Sequence, residues 1–371
     1  MDVTPFLKVM VEKKASDLFI TAGFPPSAKI DGELRALSEH SFNSEQSLDF
    51  VESLMTDAQK QEFKDTSECN FAFAAKELGR FRVSAFWQRE SAGCVMRRIE
   101  TRIPEVEELK LPPILKDLVM SKRGLIIMVG GTGTGKSTSL AALVGYRNAH
   151  ARGHILTIED PVEFVHDHRK SIITQREVGI DTESFDAALK SSLRQAPDVI
   201  LIGEIRTQET MEFALSFAET GHLCMATLHA NNANQALDRI MHLVPENKHN
   251  QLLFDLSLNL RGIVAQQLVA KSDGSGRRAA IEILINTPRV ADLIAKNDLH
   301  LLKETMAKSN EQGMQTFDQA LLALYLEGEI SYADALHHAD SPNDLRLMIK
   351  LQNNDTSSTG GFMEGVTLDL D

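Results

Sequence analysis

The sequence predicts an α/β protein: a core of parallel strands around a phosphate-binding loop, preceded by a small α+β domain. Three observations predict it. From residue 125 onward, short apolar runs that end in glycine or acidic residues alternate with helical stretches, the pattern of successive βα units. One of those runs leads directly into Gly130-Gly131-Thr132-Gly133-Thr134-Gly135-Lys136-Ser137. The first 100 residues instead mix period-two alternation with helical spacing. A chain of 371 residues is also long for one domain, so two are expected.

In the expected N-terminal domain, residues 1–100, Gly79 to Phe86 alternates polar with apolar residues and reads as a half-buried strand. Lys29 to Leu37 carries the turn signal Asp31-Gly32. Glu45 to Phe63 brings Leu48, Val51, Leu54 and Met55 to helical spacing. Pro104, Pro112 and Pro113 then remove donors and fix φ, which makes residues 101–113 an interdomain linker. Residues 114–340 form the expected main domain, with Leu125 to Val129, Ile155 to Ile158, Val199 to Ile202 and Leu223 to Thr227 as strands. The loops at their carboxyl ends should hold the ligand. Pro245 to His338 reads as a helical C-terminal subdomain, and residues 341–371 as an extension. Its last stretch from Asn353, rich in Ser, Thr and Gly and carrying acids without Lys or Arg, is expected to be disordered.

With 43% hydrophobic and 25% charged residues, the composition is that of an ordinary soluble globular protein. Leu125 to Val129, the most apolar short run, stops at glycine, far short of the roughly 20 residues a spanning helix needs. Lys8, Glu12, Lys13 and Lys14 break any apolar leader, so a cytoplasmic location is expected. A formal charge of -13 opposes binding to phosphate backbones, and Arg97-Arg98, Lys122-Arg123 and Arg277-Arg278 are pairs rather than basic stripes. No nucleic-acid partner is expected. Cys69, Cys94 and Cys224 are far apart and make no C-x-x-C pair, so neither a zinc knuckle nor a disulfide framework is indicated.

The glycine-rich segment fits G-x-x-x-x-G-K-[ST] at every fixed position, after an apolar strand and before a helical pattern opening at Thr138. Its glycines let backbone N–H groups turn inward around phosphate, Lys136 can reach the β and γ oxygens, and the Ser137 hydroxyl can ligate Mg²⁺. Glu159, Asp160 and Glu163 cluster after one apolar run, and Glu204 follows another, where carboxylates can orient water or hold a metal. His222 and His229 bracket a further apolar run and are placed to sense the γ-phosphate. No Cys or third His stands at zinc-ligand spacing beside them.

In this order the four elements resemble the Walker A, Asp box, Walker B and His box of the secretion and type IV pilus ATPases. Gly203-Glu204 and Thr220-Gly221-His222 with Thr227-Leu228-His229-Ala230-Asn231 carry most of that resemblance. It implies a RecA-like core, a PAS-like N-terminal domain, ATP with Mg²⁺, and a homo-hexameric ring. By position, Glu163 would activate the attacking water, Ser137 and Glu204 would support Mg²⁺, and His222 and His229 would contact the γ-phosphate region. Arg82 and Arg97 match arginines that the N-terminal domain donates to a nucleotide site, where a guanidinium offsets charge on the transferred phosphoryl group.

From Ser16-Asp17-Leu18 to Leu351 the chain is similar to the retraction branch, the PilT-like proteins, and it lacks the tetracysteine zinc element of extension and type II secretion ATPases. It departs from PilT at Ala196 and Thr207, where acids are common, at Ala291 and Ala295, where arginines are usual, and in the extension Ser341 to Leu347. Those departures point to the accessory kind of retraction ATPase, dependent on a PilT-type partner and an inner-membrane platform protein at the cytoplasmic face of the inner membrane. The alternatives within reach are a secretion or DNA-translocating ATPase of the same family and a nucleotide-binding scaffold.

Overall fold

The computed structural model describes residues 1–30, 32–99 and 102–358. Asp31 of the expected turn, Glu100 and Thr101 at the expected domain boundary, and residues 359–371 of the expected tail lie outside the described residues. The chain divides into two compact units. The first holds Met1–Ile103 together with Asp160–Asp167 and Gln175–Ala188, and the second holds Pro104–Glu159, His168–Thr174 and the chain from Leu189 on.

The first unit contains α1 (Thr4–Glu12), β1 (Asp17–Ile20), β2 (Ser27–Ile30), β3 (Glu33–Ala36), α2 (Ser44–Ser53), α3 (Asp57–Thr66), β4 (Glu68–Ala75), β5 (Gly79–Gln88) and β6 (Ser91–Ile99). Its strands form an antiparallel sheet in the order β3-β2-β1-β6-β5-β4. Alternation along β5 sends Phe81, Val83 and Ala85 into a core with Leu18, Phe50, Phe63 and Met96, and leaves Arg80, Arg82 and Ser84 on the other face. The helical stretch 45–63 is two helices. Thr56 stops it by capping α3: its side chain accepts the Gln59 N–H while Gln59 reaches back to the Thr56 N–H, and Asn43 with Gln46 does the same for α2.

The second unit begins with α4 (Ile114–Val119), β7 (Gly124–Val129), α5 (Lys136–His150) and β8 (Gly153–Glu159). β9 (Ser171–Glu177) and α6 (Phe185–Ser192) each have residues in both units. The second unit continues with β10 (Val199–Ile202), α7 (Gln208–Glu219), β11 (Leu223–Leu228), α8 (Ala233–His242), α9 (His249–Asn259), β12 (Leu260–Ala270) and β13 (Arg277–Ile285). It closes with α10 (Pro288–Ala295), α11 (Leu302–Ala307), α12 (Phe317–Leu326), α13 (Tyr332–His338) and α14 (Pro342–Ser358). The sheet order is β13-β12-β7-β11-β10-β8-β9, with β12, β7, β11, β10 and β8 parallel and β13 antiparallel on β12. Every residue of β7, β10 and β11 is buried, as expected of parallel strands covered on both faces.

Two organisational expectations change. β12 and β13 occupy the middle of the stretch read as helical, because β12 is buried on both faces beside β7 and so shows no alternation to reveal it. The proline segment is not a free linker from Pro104 on: Val106 and Leu111 are buried in the same core as Leu115 and Val119. The first part of the C-terminal extension is helical, with Leu345 and Ile349 of α14 buried where it packs against α12 and α13. Among the described residues no helix is long and apolar enough to cross a membrane. The three cysteines are free and buried, and burial pushes the thiol of Cys69 up to about 11 and that of Cys94 up to about 12.

Candidate active site

β7 runs out at Val129, and the chain turns through the glycine-rich loop into α5, which starts at Lys136. Two glycines there are obligatory. Gly130 has φ +155°, and a Cβ on it would stand 2.5 Å from Thr134 Oγ1 and 2.6 Å from the Gln266 carbonyl oxygen. Gly135 has φ +83°, with a Cβ 2.8 Å from Gln266 Nε2. The Lys136 side chain folds back and donates to the carbonyls of Gly130 at 2.7 Å and Gly131 at 2.8 Å, while Thr134 Oγ1 donates to Gly131 at 2.9 Å. The loop is thus shaped as a cradle at a helix N-terminus, with an ammonium at its floor.

Gln266, which sequence reasoning did not single out, braces that cradle. It lies on β12, beside β7, and is buried. Its Nε2 donates to the Thr134 carbonyl at 2.9 Å, and its Oε1 accepts from Ser139 Oγ at 2.8 Å. One amide therefore ties the loop to the first turns of α5. The signal was present as a polar pair, Gln266-Gln267, interrupting an otherwise apolar run.

Because β10 and β11 are parallel neighbours, with Ile202 opposite Ala226, the segments leaving them meet at the same edge of the sheet. Thr227 Oγ1 donates to the Gly203 carbonyl at 2.5 Å, and the Ile205 N–H to the Thr227 carbonyl at 2.9 Å. Glu204 is mostly buried between a guanidinium and an imidazole: its Oε2 is 2.7 Å from Arg206 Nε, and its Oε1 is 3.4 Å from His229 Nε2. Glu159 ends β8 at this edge too, its Oε1 accepting from Thr157 Oγ1 at 2.6 Å.

His222 stands elsewhere. It precedes β11, whereas His229 follows it, so the two are separated by the length of the strand, about 20 Å at ~3.3 Å per residue. Its Nδ1 lies 3.1 Å from Thr220 Oγ1 and 3.2 Å from the Phe217 carbonyl, and its ring meets Phe217 edge-on. The two histidines therefore bracket a strand, and of the two it is His229 that stands at the edge carrying the cradle.

Glu163, Arg82 and Arg97 belong to the first unit. Arg82 donates to both oxygens of buried Glu177, at 3.2 and 3.3 Å, and to the Val162 carbonyl at 3.0 Å. Glu177 in turn accepts from the Val162 N–H at 3.2 Å. Val162 is gripped at both its backbone groups, which fixes the chain where the exposed Glu163 begins. Arg97 pairs through Nε with Asp17 Oδ1 at 2.7 Å, and most of its side chain is exposed. Arg82 and Arg97 are directly opposite one another on β5 and β6.

Two cavities flank the cradle in the second unit. One, of about 510 Å³, is lined by Gly131, His229, Asn231 and the α8 face of Gln235, Asp238, Arg239 and His242. The other, of about 450 Å³, lies against Gly135, Thr138 and Ser139, with apolar Leu109, Leu111 and Leu268 and a basic rim of Lys110, Lys271, Arg277 and Arg278. An apolar slot with a few polar groups beside a phosphate cradle suits a planar base. Among the described residues no group of His, Cys, Asp and Glu side chains could hold a metal by itself. The oxygen donors at this edge, Ser137 and Glu204, suit a hard cation that takes its remaining ligands from water and phosphate.

Comparison with known proteins places the chain in a family. Residues 2–335 match the family described as Type II/IV secretion system protein. The chain is 59% identical over all 371 residues to the type IV pilus ATPase PilU of Pseudomonas aeruginosa, covering 97% of that protein. It is 39% identical over 344 residues, 93% of this chain and 100% of the relative, to the PilT retraction ATPase of the same organism. Among solved structures, the pilus retraction motor PilT with bound ADP superimposes with a TM-score of 0.88 at 39% identity, over 94% of this chain and 100% of that one.

Proposed function

The chain belongs to the family of type II/IV secretion system proteins, in its PilU/PilT-type pilus ATPase branch, and from that premise we propose that it hydrolyses ATP to power type IV pilus retraction. It does so as a homo-hexameric ring that depends on a PilT-type ATPase and works on an inner-membrane platform protein at the cytoplasmic face. The observation that carries the reading is the meeting of the Lys136 cradle with Glu204 and His229 at one edge of one sheet. The full-length similarity to PilU, and Ala291 and Ala295 on α10 in place of arginines usual in PilT, support the accessory form.

In this reading the N–H groups of residues 131–136 bind the phosphates, and Lys136 exchanges its loop carbonyls for the β and γ oxygens. The apolar-walled slot beside Ser139 takes the base. Ser137 and, through water, Glu204 would hold Mg²⁺, which would neutralise phosphate charge. Glu163 takes the proton of the attacking water, and the Arg82–Glu177 pair keeps its loop in place. His229, resting on Glu204, reports the γ-phosphate, and Arg97 with Arg82 supplies the guanidinium charge of the N-terminal unit. Hydrolysis by the purified chain, and its loss by at least about 100-fold in Lys136→Ala, is the deciding measurement. Turnover that survives the substitution would end this assignment. For the accessory role, retraction should require a PilT-type protein in the same cell; retraction by this chain alone would contradict it.

A further inference from the structure

Two guanidiniums of the N-terminal unit serve the proposed hydrolysis, and the carboxylates that hold them leave them in different conditions. Lys29 of β2, Asp17 of β1, Arg97 of β6 and Arg82 of β5 are directly opposed in register, so they stand in one row across one face of the antiparallel sheet. Arg82 and Arg97 are like charges side by side in that row, an arrangement that is destabilising unless each is offset. Each has its own carboxylate. Glu177 takes Arg82 through both Nε and Nη2, at 3.2 to 3.4 Å, and leaves that side chain 22% exposed. Asp17 takes Arg97 from the other side of the row and holds it by a single nitrogen.

Asp17 Oδ1 accepts from Arg97 Nε at 2.7 Å, and Asp17 Oδ2 accepts from Ser16 Oγ at 2.8 Å. Both oxygens of the aspartate are thus engaged, and the residue is 5% exposed. It pairs with Arg97 rather than with Lys29, its other cross-strand neighbour. The Nη fork of Arg97, the part of an arginine that meets carboxylate or phosphate oxygens two at a time, has no partner among the described residues, and the side chain is 65% exposed. A pair built for stability would present more of that fork to its carboxylate, as Arg82 does to Glu177. Taking Asp17 out of water is costly, and a one-nitrogen pair to a cation that lies mostly in solvent offsets little of that penalty. What the pair does fix is the guanidinium itself: with Nε anchored, the long side chain loses rotamer freedom before any ligand arrives.

We propose that Asp17 is the positioning residue of Arg97: it holds the guanidinium by Nε and keeps both Nη nitrogens open for the oxygens of the transferred phosphoryl group. This role rests on the ATPase reading, and it falls to a residue that itself touches no nucleotide. Ser16 shares in it, because its hydroxyl engages Oδ2 and leaves Oδ1 to Arg97. The location suits the task. Asp17 opens β1, an inner strand paired with β2 on one side and β6 on the other, and a group that must hold another within a fraction of an ångström is better placed on such a strand than on a loop.

A double-mutant cycle on the full-length protein tests this, with turnover, fluorescent ADP binding and melting temperature measured for Asp17→Ala, Arg97→Ala and the pair together. Arg97→Ala alone should lower kcat about 100-fold. Asp17→Ala should lower it about 10-fold with nucleotide affinity within about 3-fold, and in the Arg97→Ala background it should cost less than about 2-fold more, because no guanidinium is left to aim. Asp17→Asn, which keeps an oxygen for the Nε–H, should bring kcat back to within about 3-fold of the natural protein. If Asp17→Ala does not fold, Asp17→Val, whose branched side chain suits an inner strand, takes its place in the cycle with the same expected values. Losses that multiply in the double variant would overturn the proposal, and so would an Asp17 variant that melts lower but keeps its kcat. Turnover by the natural protein and its absence in Lys136→Ala are measured alongside. If the natural protein hydrolyses no ATP, the ATPase reading fails at that step and the role of Asp17 fails with it; where turnover is present, the cycle bears on Asp17 alone.

Discussion

The two edges of the seven-stranded sheet are built from similar residues and spend them differently. At the amino edge, every charged or polar group named here is turned onto a backbone carbonyl of the same edge. Arg147 Nη1 donates to Val119 at 2.6 Å and Ser121 at 2.8 Å, Arg261 Nε donates to Arg123 at 2.8 Å, and the Gly124 N–H closes on His222 at 3.0 Å. At the carboxyl edge the side chains face one another and the two cavities: Lys136 over the loop carbonyls, Glu204 between Arg206 and His229, Arg239 on the α8 wall. Polar groups that complete a fold saturate backbone acceptors, whereas groups that await a ligand pair weakly with each other and leave space beside them. β11 shows the contrast within one strand, with a histidine at either end and a different fate for each.

The sharpest way to break this distinction is Glu204→Gln. Removing the carboxylate charge while keeping its shape should lower turnover by about 100- to 1,000-fold and leave nucleotide affinity within a few-fold, measured by steady-state hydrolysis and by fluorescent ADP binding. Equal losses in binding and turnover would mean that Glu204 only holds the cradle. The paired histidines come next. His229→Ala should cost about 10- to 100-fold in kcat, and His222→Ala less than about 3-fold, with its penalty appearing instead as a lower melting temperature. Comparable kcat losses at both positions would bring the two edges together as one functional surface. A smaller effect is expected at Gln266→Leu, where the Thr134 carbonyl and Ser139 hydroxyl lose their common partner: KM should rise about 10-fold with kcat nearly preserved.

What the sequence revealed follows the same division. The cradle, Glu204 and His229 were legible because each lies within a few residues of the end of an apolar strand, so chemistry and location are encoded together. Their supports were not. Gln266 reaches Thr134 across 132 positions, and Glu177 meets Arg82 across 95. No local pattern encodes such pairs, since they exist only after the strands have been ordered in the sheet. His222 shows the converse: the motif supplies two histidines at fixed spacing, and only the direction of β11 tells that they stand at opposite ends of it. The division into units was also partly hidden, because Asp160–Asp167 and Gln175–Ala188 belong with the N-terminal sheet while the chain on both sides of each belongs elsewhere.

The last test lies wholly at the amino edge, at Arg147. This guanidinium is buried on α5, with its charge disfavoured by burial and helped by Asp198, and it supplies both hydrogen bonds that the Val119 and Ser121 carbonyls receive from it. Arg147→Met keeps the length and the apolar stem but leaves two acceptors without that donor, which should cost about 1–3 kcal/mol of stability. Because α5 also begins at Lys136, a loss of helix position would travel about 11 residues to the cradle, roughly 16 Å at 1.5 Å per residue. If the two edges are energetically separate, the denaturation midpoint should fall while KM and kcat, measured below the transition, stay within about 2-fold. A KM that rises with the loss of stability would show that the amino edge, through α5, is part of what holds the phosphate cradle in shape.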